Sequence, residues 1–125
     1  MFEATYAPAP GALETEPLRE PGAFGALVHE IGEDGAREVR AVFWSETSAR
    51  LKLFRTLDLG LHRARIGRES HSLKSVAKTF GYLRLAALAL RLERTVDALG
   101  EREFSDLVER MDAAYAAARE QDPKL

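Results

Sequence analysis

Apolar residues recur at helical spacing through most of this 125-residue chain, in blocks that glycine-containing turns separate. At about 100° per residue, positions three and four apart lie on the same face of a helix. No block shows the apolar–polar alternation that is typical of a half-buried strand. The pattern predicts helices over about 21–31, 34–57, 61–80, 82–99 and 103–120.

The four longer helices each carry a single apolar stripe, and the connections between them are short. Helices of this kind bury their stripes against one another, and short connections favour antiparallel neighbours. We therefore predict an all-α fold, an antiparallel four-helix bundle with an additional short N-terminal helix. On the first long helix, the predicted core face carries Val39, Val42, Phe43, Leu53, Phe54 and Leu57. Trp44 and Leu51 flank that face, and we expect them to be core residues rather than part of a docking surface.

Prolines mark the beginning of the chain. Residues 1–20 contain Pro8, Pro10 and Pro17 without a helical period, which predicts an irregular N-terminal arm. Residues 21–122 then form the helical bundle, and a chain of this length suggests one domain.

The composition narrows the classes of function. With 46% hydrophobic and 30% charged residues, the chain has the balance of an ordinary soluble protein. No apolar run approaches the roughly 18 residues of a membrane span, and the N-terminus lacks the pattern of a signal peptide. The absence of cysteine from the sequence excludes disulfides and thiol chemistry. We expect a cytoplasmic protein that does not insert into membranes.

The net charge of −2 gives no general reason to expect nucleic-acid binding. One segment, between Gly60 and Gly81, is nevertheless strongly basic, with Glu69 as its one acidic residue. Its cations are Arg63, Arg65, Arg68, Lys74 and Lys78. A local positive field of this kind attracts an acidic partner, and the alternative is an ordinary solvated face.

His71 lies within this basic segment and opposite the apolar stripe of its helix. The stripe consists of Ile66, Leu73, Val76, Ala77 and Phe80. Lys74, Ser75 and Lys78 fall within about 60° of His71 on the other face. An exposed imidazole beside two ammonium groups and one small residue suits a histidine that accepts a phosphoryl group. The residues alone also leave open a histidine without a chemical role.

The string from His71 to Gly81 resembles the signature of histidine-containing phosphotransfer (HPt) domains of bacterial multistep phosphorelays. That signature is a histidine, then leucine and lysine two and three residues later, a small residue next, and a glycine ten residues after the histidine. The matching positions here are His71, Leu73, Lys74, Ser75 and Gly81. The resemblance extends over about residues 20–120.

Two positions depart from the family pattern, which usually has glycine in place of Ser75 and often a small residue in place of Lys78. Serine keeps the first position small, so we expect access to the imidazole to survive. Leu92-Glu93 stands where the family tends to place leucine followed by glutamine or glutamate. Glu93 is a candidate to accept a hydrogen bond from Nδ1–H of His71, and the alternative is a salt bridge to Arg94 or Lys78.

The resemblance implies a phosphocarrier rather than an enzyme. His71 is then the phosphoacceptor, which takes the group through Nε2 from the aspartate of a receiver domain and passes it to another receiver domain. Such receivers belong to response regulators or hybrid histidine kinases. Lys74 and Lys78 are the candidates for stabilising phosphoryl charge, Glu93 for orienting the imidazole, and Ser75 for access.

Several expectations about cofactors and partners accompany this reading. The sequence has no P-loop and no glycine-rich nucleotide loop, so we expect no ATP site and no cofactor of its own. The resemblance implies that the magnesium needed for the exchange is held by the partner receiver. His29, His62 and His71 lack the spacing of a helical metal site. The family default is a monomer.

Two other hypotheses remain open from the sequence. The first is a non-catalytic helical adaptor that binds a receiver domain or another signalling protein without using His71 chemically. The second is nucleic-acid binding through the basic helix. Missing aromatic residues among the cations and the negative net charge argue against the second.

Overall fold

The computed structural model describes residues 16–122, and the prediction of an all-α fold is confirmed within them. Their regular structure consists of four helices, which are α1 (Ala23–Thr56), α2 (Arg63–Thr79), α3 (Leu83–Thr95) and α4 (Glu101–Gln121). None of these helices combines the length and the apolar character that crossing a membrane requires.

Helix α1 is interrupted at Gly32, whose backbone angles of φ 85° and ψ 163° are not helical. A positive φ of this size favours glycine, because a side chain is strained there. The short helix predicted at 21–31 therefore corresponds to the part of α1 that precedes Gly32, where a kink separates it from the long helix. The interval between the two predicted helices, residues 32–33, contains this non-helical residue.

The helices surround one apolar core, because α1 packs against α2 and α4, and α3 packs against the same two helices. Two ring contacts between α1 and α4 run in opposite order along these helices. Trp44 meets Tyr115, whereas Phe54, further along α1, meets Phe104, earlier on α4. The largest fully buried apolar side chains are Leu51, Phe54, Leu59, Ile66, Leu73, Leu85, Leu88, Leu92 and Met111.

The core face of α1 differs from the predicted one. Trp44 and Leu51 are buried, at 7% and 2% exposure, as expected. Val39 and Val42 are instead exposed, at 39% and 51%, so their assignment to the core was wrong. At about 100° per residue, Val42 lies roughly 145° from the centre of the buried stripe that Phe43 and Leu51 belong to. The partner helices α2 and α4 decide which side of α1 is covered.

Gly81 ends α2 in a Schellman motif, which satisfies the last carbonyl groups of the helix. Gly81 N–H donates to the Lys78 carbonyl at 3.0 Å, and Tyr82 N–H donates to the Ala77 carbonyl at 2.8 Å. The φ of Gly81 is 80°, and a Cβ there would lie 2.5 Å from the Cβ of Ala23. Only glycine fits, both because of this left-handed backbone and because the start of α1 passes so closely.

Residues 16–20 belong to the predicted irregular arm and are not helical. They nevertheless contact the bundle, since Glu20 N–H donates to the Gly81 carbonyl at 2.7 Å and Arg19 pairs with Asp122 at 3.1 Å. Leu18 packs against the core. The division into an arm of 1–20 and a bundle of 21–122 stays a prediction, and residues 1–15 lie outside the described residues.

Candidate functional site

Helix α2 presents His71 to solvent because its opposite face is locked into the core. Ile66, Leu73 and Ala77 on that face are fully buried. The side chain of His71 is 59% exposed. The exposure that the periodicity predicts is therefore present, and the imidazole is open to a partner.

Glu93 on α3 holds the imidazole by one ring nitrogen. His71 Nδ1 lies 2.8 Å from Glu93 Oε2. A carboxylate accepts hydrogen bonds only, so Nδ1 carries the proton in this contact. In the neutral ring the other nitrogen, Nε2, is then unprotonated and has no hydrogen-bond partner among residues 16–122.

Lys74 completes a three-residue cluster with His71 and Glu93. Its Nζ lies 3.3 Å from Glu93 Oε1 and 3.5 Å from His71 Nδ1. Both Lys74 Nζ and His71 Nδ1 are donors when Nδ1 bonds Glu93, so the partner of Lys74 is the carboxylate. The expected alternative, a salt bridge from Glu93 to Arg94 or Lys78, is not formed in the described structure.

The electrostatics of this cluster keep Glu93 charged. The hydrogen bond from His71, followed by the contacts with Lys74, lowers the pKa of the Glu93 carboxyl, and partial desolvation opposes this shift. The carboxylate is therefore negative at neutral pH. It is available to stabilise positive charge on the imidazole.

Ser75 and Lys78 lie on the same side of α2 as His71 and are exposed. The Ser75 carbonyl accepts a hydrogen bond from Thr79 Oγ1 at 3.0 Å, within the helix. The side chain of Lys78 has no partner in the part of the chain that the structure describes. Of the five predicted site residues, the structure brings His71, Lys74 and Glu93 together and leaves the other two open to solvent.

Beside His71, a depression opens between α2 and α3. Arg63, Gly67 and Arg68 line it from α2, and Val96 and Asp97 line it beyond Glu93 on the other side. Arg63 is held by two carbonyl groups near the end of α3, because its Nη1 lies 2.6 Å from Val96 O and 2.9 Å from Leu99 O. The sequence placed these arginines in a basic segment but assigned neither of them to a site.

On the other side of α2, an apolar groove runs between α1 and α2. Val39 and Val42 form its α1 side, and Val76 and Phe80 form its α2 side. Arg50 at its end is bound to Glu69 at 2.8 Å. This groove contains most of the large exposed hydrophobic residues of α1 and α2.

Metal binding has no structural support in the part of the chain described. No three histidine, cysteine, aspartate or glutamate residues within 16–122 are grouped in a way that could hold a metal ion. The His71–Glu93–Lys74 cluster contains a cation of its own, and Lys74 occupies the space beside the carboxylate.

Comparison with known proteins provides an independent observation. The family model described as "Hpt domain" matches residues 38–121, about two thirds of the chain. No curated protein and no solved structure matches the chain. The match begins after the break at Gly32 and includes His71, Lys74 and Glu93.

Proposed function

Because the chain belongs to the Hpt domain family, which carries out histidine phosphotransfer in phosphorelays, we propose that His71 is its phosphoacceptor. In this proposal, His71 takes a phosphoryl group from the aspartate of one receiver domain and passes it to the aspartate of another. The observation that carries the proposal is an exposed imidazole whose Nδ1 is held by Glu93 at 2.8 Å, which leaves Nε2 for the reaction.

The transfer is a nucleophilic substitution at phosphorus. The Nε2 lone pair attacks the phosphorus of an aspartyl phosphate, and an N–P bond forms as the P–O bond to the aspartate breaks. The carboxylate leaves with the electron pair, and the imidazole gains a positive charge. Passing the group to a second receiver reverses these changes. Such transfers depend mainly on positioning and electrostatic stabilisation.

Glu93 supplies both of these contributions to His71. The bond to Nδ1–H selects the tautomer in which Nε2 is the nucleophile. The negative charge of the carboxylate then lies next to the ring as the ring becomes positive. Since the pKa of Glu93 is lowered, this charge is present at neutral pH.

The lysines have different roles in this proposal. Lys74 is bound to Glu93, so part of its charge is compensated, and it holds the carboxylate in place as well as facing the phosphoryl group. Lys78 is exposed and seven residues from His71, about 10.5 Å along the helix axis. It stabilises phosphoryl charge at longer range or contacts acidic groups of the partner. Ser75 keeps the approach to the imidazole open.

The apolar groove between α1 and α2 is the docking surface that we propose for the receiver domain. Val42 and Val76 are 51% and 37% exposed, although large apolar side chains are normally covered. Val76 lies about 140° around α2 from His71, so a receiver that uses both surfaces extends around this helix from the groove to the imidazole. The receiver brings the aspartate and is expected to hold the magnesium that the exchange needs.

The proposal also includes the arrangement of the helices, the oligomeric state, the location of the protein and its need for cofactors. The opposite order of the contacts along neighbouring helices supports an antiparallel bundle. We expect a monomer in the cytoplasm, without an ATP site, a cofactor or a nucleic-acid partner of its own. The part of α1 before Gly32 acts as the additional N-terminal helix.

The test is phosphoryl transfer from radiolabelled receiver domains to the wild-type protein and to His71→Gln. We expect label on the wild type that is lost in acid and kept in base, the behaviour of a phosphohistidine. We expect none on His71→Gln. His29→Gln is the matched control, since His29 is also exposed on a helix but lies outside the cluster.

Each outcome separates the two main hypotheses. Label on His71→Gln would contradict the assignment of the phosphoacceptor. Absence of label from the folded wild type across a broad panel of receivers, together with binding that His71→Gln does not change, would instead support the non-catalytic adaptor. Circular dichroism shows whether each variant retains the helical fold.

A further inference from the structure

The cations around His71 are not equally available to a phosphoryl group. Lys74 lies 3.3 Å from Glu93 Oε1 and is bound to that carboxylate. Arg63 donates to the Val96 and Leu99 carbonyl groups. Arg68, in contrast, is exposed and has no side-chain partner within residues 16–122.

Arg68 is also close enough to act. It precedes His71 by three residues on α2, about 4.5 Å along the axis, and side chains at this spacing are neighbours on a helix surface. Both residues line the depression between α2 and α3. Lys78, the other exposed cation on this face, is about 10.5 Å along the axis.

Gly67 contributes to the shape of this depression. It lies one turn before His71, and a Cβ at this position would be 3.4 Å from Val96 Cγ1. Gly67 therefore contributes no side chain to this part of the depression.

We propose that Arg68 binds the phosphoryl group carried by His71, in the depression between α2 and α3. This inference rests on the proposed function of His71. A guanidinium offers two parallel N–H donors to phosphoryl oxygens, which makes it well suited to this contact. Of the two carboxylates in the depression, Glu93 is paired with His71 and Lys74, and Asp97 makes no ion pair with Arg68 in the described structure.

The experiment uses phosphoramidate, a small phosphoryl donor, so that no receiver domain is needed. His71 Nε2 attacks its phosphorus, the P–N bond of the donor breaks, and the nitrogen leaves as ammonia. Phosphorus NMR follows the formation of phospho-His71. In parallel, proton–nitrogen NMR follows the Nε–Hε groups of the arginines, with the Arg68 signal assigned from its loss in Arg68→Gln.

On phosphorylation, we expect the Arg68 Hε signal to move downfield and to exchange more slowly with water. We expect Arg68→Gln to be phosphorylated about two- to fivefold more slowly than the wild type, as for the loss of one exposed ionic contact. Arg65→Gln is the matched control. It removes the same charge from an exposed position of α2, about 120° around the helix from His71, and should change the rate less than about twofold.

The outcomes distinguish this inference from the function on which it rests. If His71 becomes phosphorylated but the Arg68 signal stays in place, and Arg68→Gln behaves like Arg65→Gln, the phosphoryl group is not bound by Arg68 and His71 remains the phosphoacceptor. If His71 takes up no phosphoryl group from either phosphoramidate or receivers, both proposals are overturned.

Discussion

At the scale of single residues, the contact between His71 and Glu93 determines which ring nitrogen carries the proton in the neutral imidazole. These residues are 22 positions apart, on different helices, and their side chains meet at 2.8 Å. Lys74 lies one turn from His71 and is bound to the same carboxylate. Nδ1 of His71 is therefore bound to Glu93, whereas Nε2 has no partner among the described residues. The negative charge of Glu93 is stabilised by Lys74.

Two substitutions of Glu93 distinguish its two proposed contributions, which are orienting the His71 ring and stabilising the positive charge that the ring gains. Glu93→Gln retains an oxygen that accepts from Nδ1–H but loses the negative charge, so we expect transfer from a receiver to slow about fivefold. Glu93→Ala loses both contributions, and we expect a decrease of about tenfold or more. Rapid-quench measurements of transfer, with both variants at the same receiver concentration, give the rates.

The tautomer of His71 provides the control. Nitrogen NMR should show the Nδ1–H tautomer in the wild type and in Glu93→Gln, and a shift toward Nε2–H in Glu93→Ala. If Glu93→Ala retained both the Nδ1–H tautomer and the wild-type rate, Glu93 would have no positioning role. Asp97→Asn, a change of charge in the same depression, should leave the tautomer unchanged.

At the scale of elements, α1 has a buried face and a second apolar strip that is left exposed within residues 16–122. Phe43 and Leu51 are buried against α2 and α4, whereas Val42 remains exposed. Val76 continues this strip onto α2, about 140° around the helix from His71. The apolar residues of α1 therefore serve two surfaces, and only one of them is the core.

Val42→Glu tests whether the groove binds the receiver. Val42 is 51% exposed, so we expect the free energy of unfolding to change by less than about 0.5 kcal/mol. A charge in the centre of an apolar contact should slow transfer from the receiver by about tenfold or more, because desolvating an unpaired charge is costly. Phosphorylation by phosphoramidate, which needs no docking, should be unchanged.

Ala41→Glu is the matched control for this variant. It adds the same charge one residue away, at an exposed position of α1 that does not line the groove. Transfer to Ala41→Glu should remain within about twofold of the wild type, given the small effect of a charge outside the contact. Equal rates for both variants would show that the receiver docks elsewhere.

At the scale of the whole molecule, three distant parts of the chain meet at a buried polar cluster. Tyr82, at the start of α3, and Asp122, after α4, are 3% and 1% exposed, and the tyrosine hydroxyl donates to the carboxylate. Arg19, from the segment before α1, pairs with the same carboxylate. This cluster and the bond from Glu20 to Gly81 attach the N-terminal segment to the bundle.

The cluster makes stability sensitive to alkaline pH. Burial, followed by the hydrogen bond to Asp122, raises the pKa of Tyr82 well above its ordinary value of 10.0. Above about pH 10 the unfolded chain loses the tyrosine proton while the folded protein keeps it, so stability falls as the pH rises, by at most about 1.4 kcal/mol per pH unit. Urea unfolding between pH 8 and about pH 11 measures this slope.

Tyr82→Phe should remove this component of the slope, whatever its effect on stability at neutral pH. Tyr115→Phe is the control, because it removes another partly buried tyrosine hydroxyl and leaves Tyr82 in place. If Tyr82→Phe and the wild type lost stability in parallel above pH 10, ionisation of Tyr82 would not be linked to unfolding.

The sequence by itself determined the helices and the exposure of His71, because both follow from the local period of apolar residues. It also indicated Gly81 as the end of α2, although the close passage of Ala23 that requires glycine there comes from packing. The resemblance to a family led to two further predictions, that His71 is a phosphoacceptor and that it bonds Glu93. The local pattern of apolar residues contains neither.

Two features depend on the tertiary structure alone. These are the face of α1 that is buried and the pairing of the basic side chains near His71 with carboxylates. Val42 has the same local pattern as a core residue and is exposed because α2 and α4 lie on the other side. Lys74 and Arg68 are each three residues from His71 in the sequence, but α3 brings Glu93 to Lys74 and leaves Arg68 without a partner in the described residues. Contacts between residues far apart in the chain depend on the relative rotation of packed helices, which a single helical period does not specify.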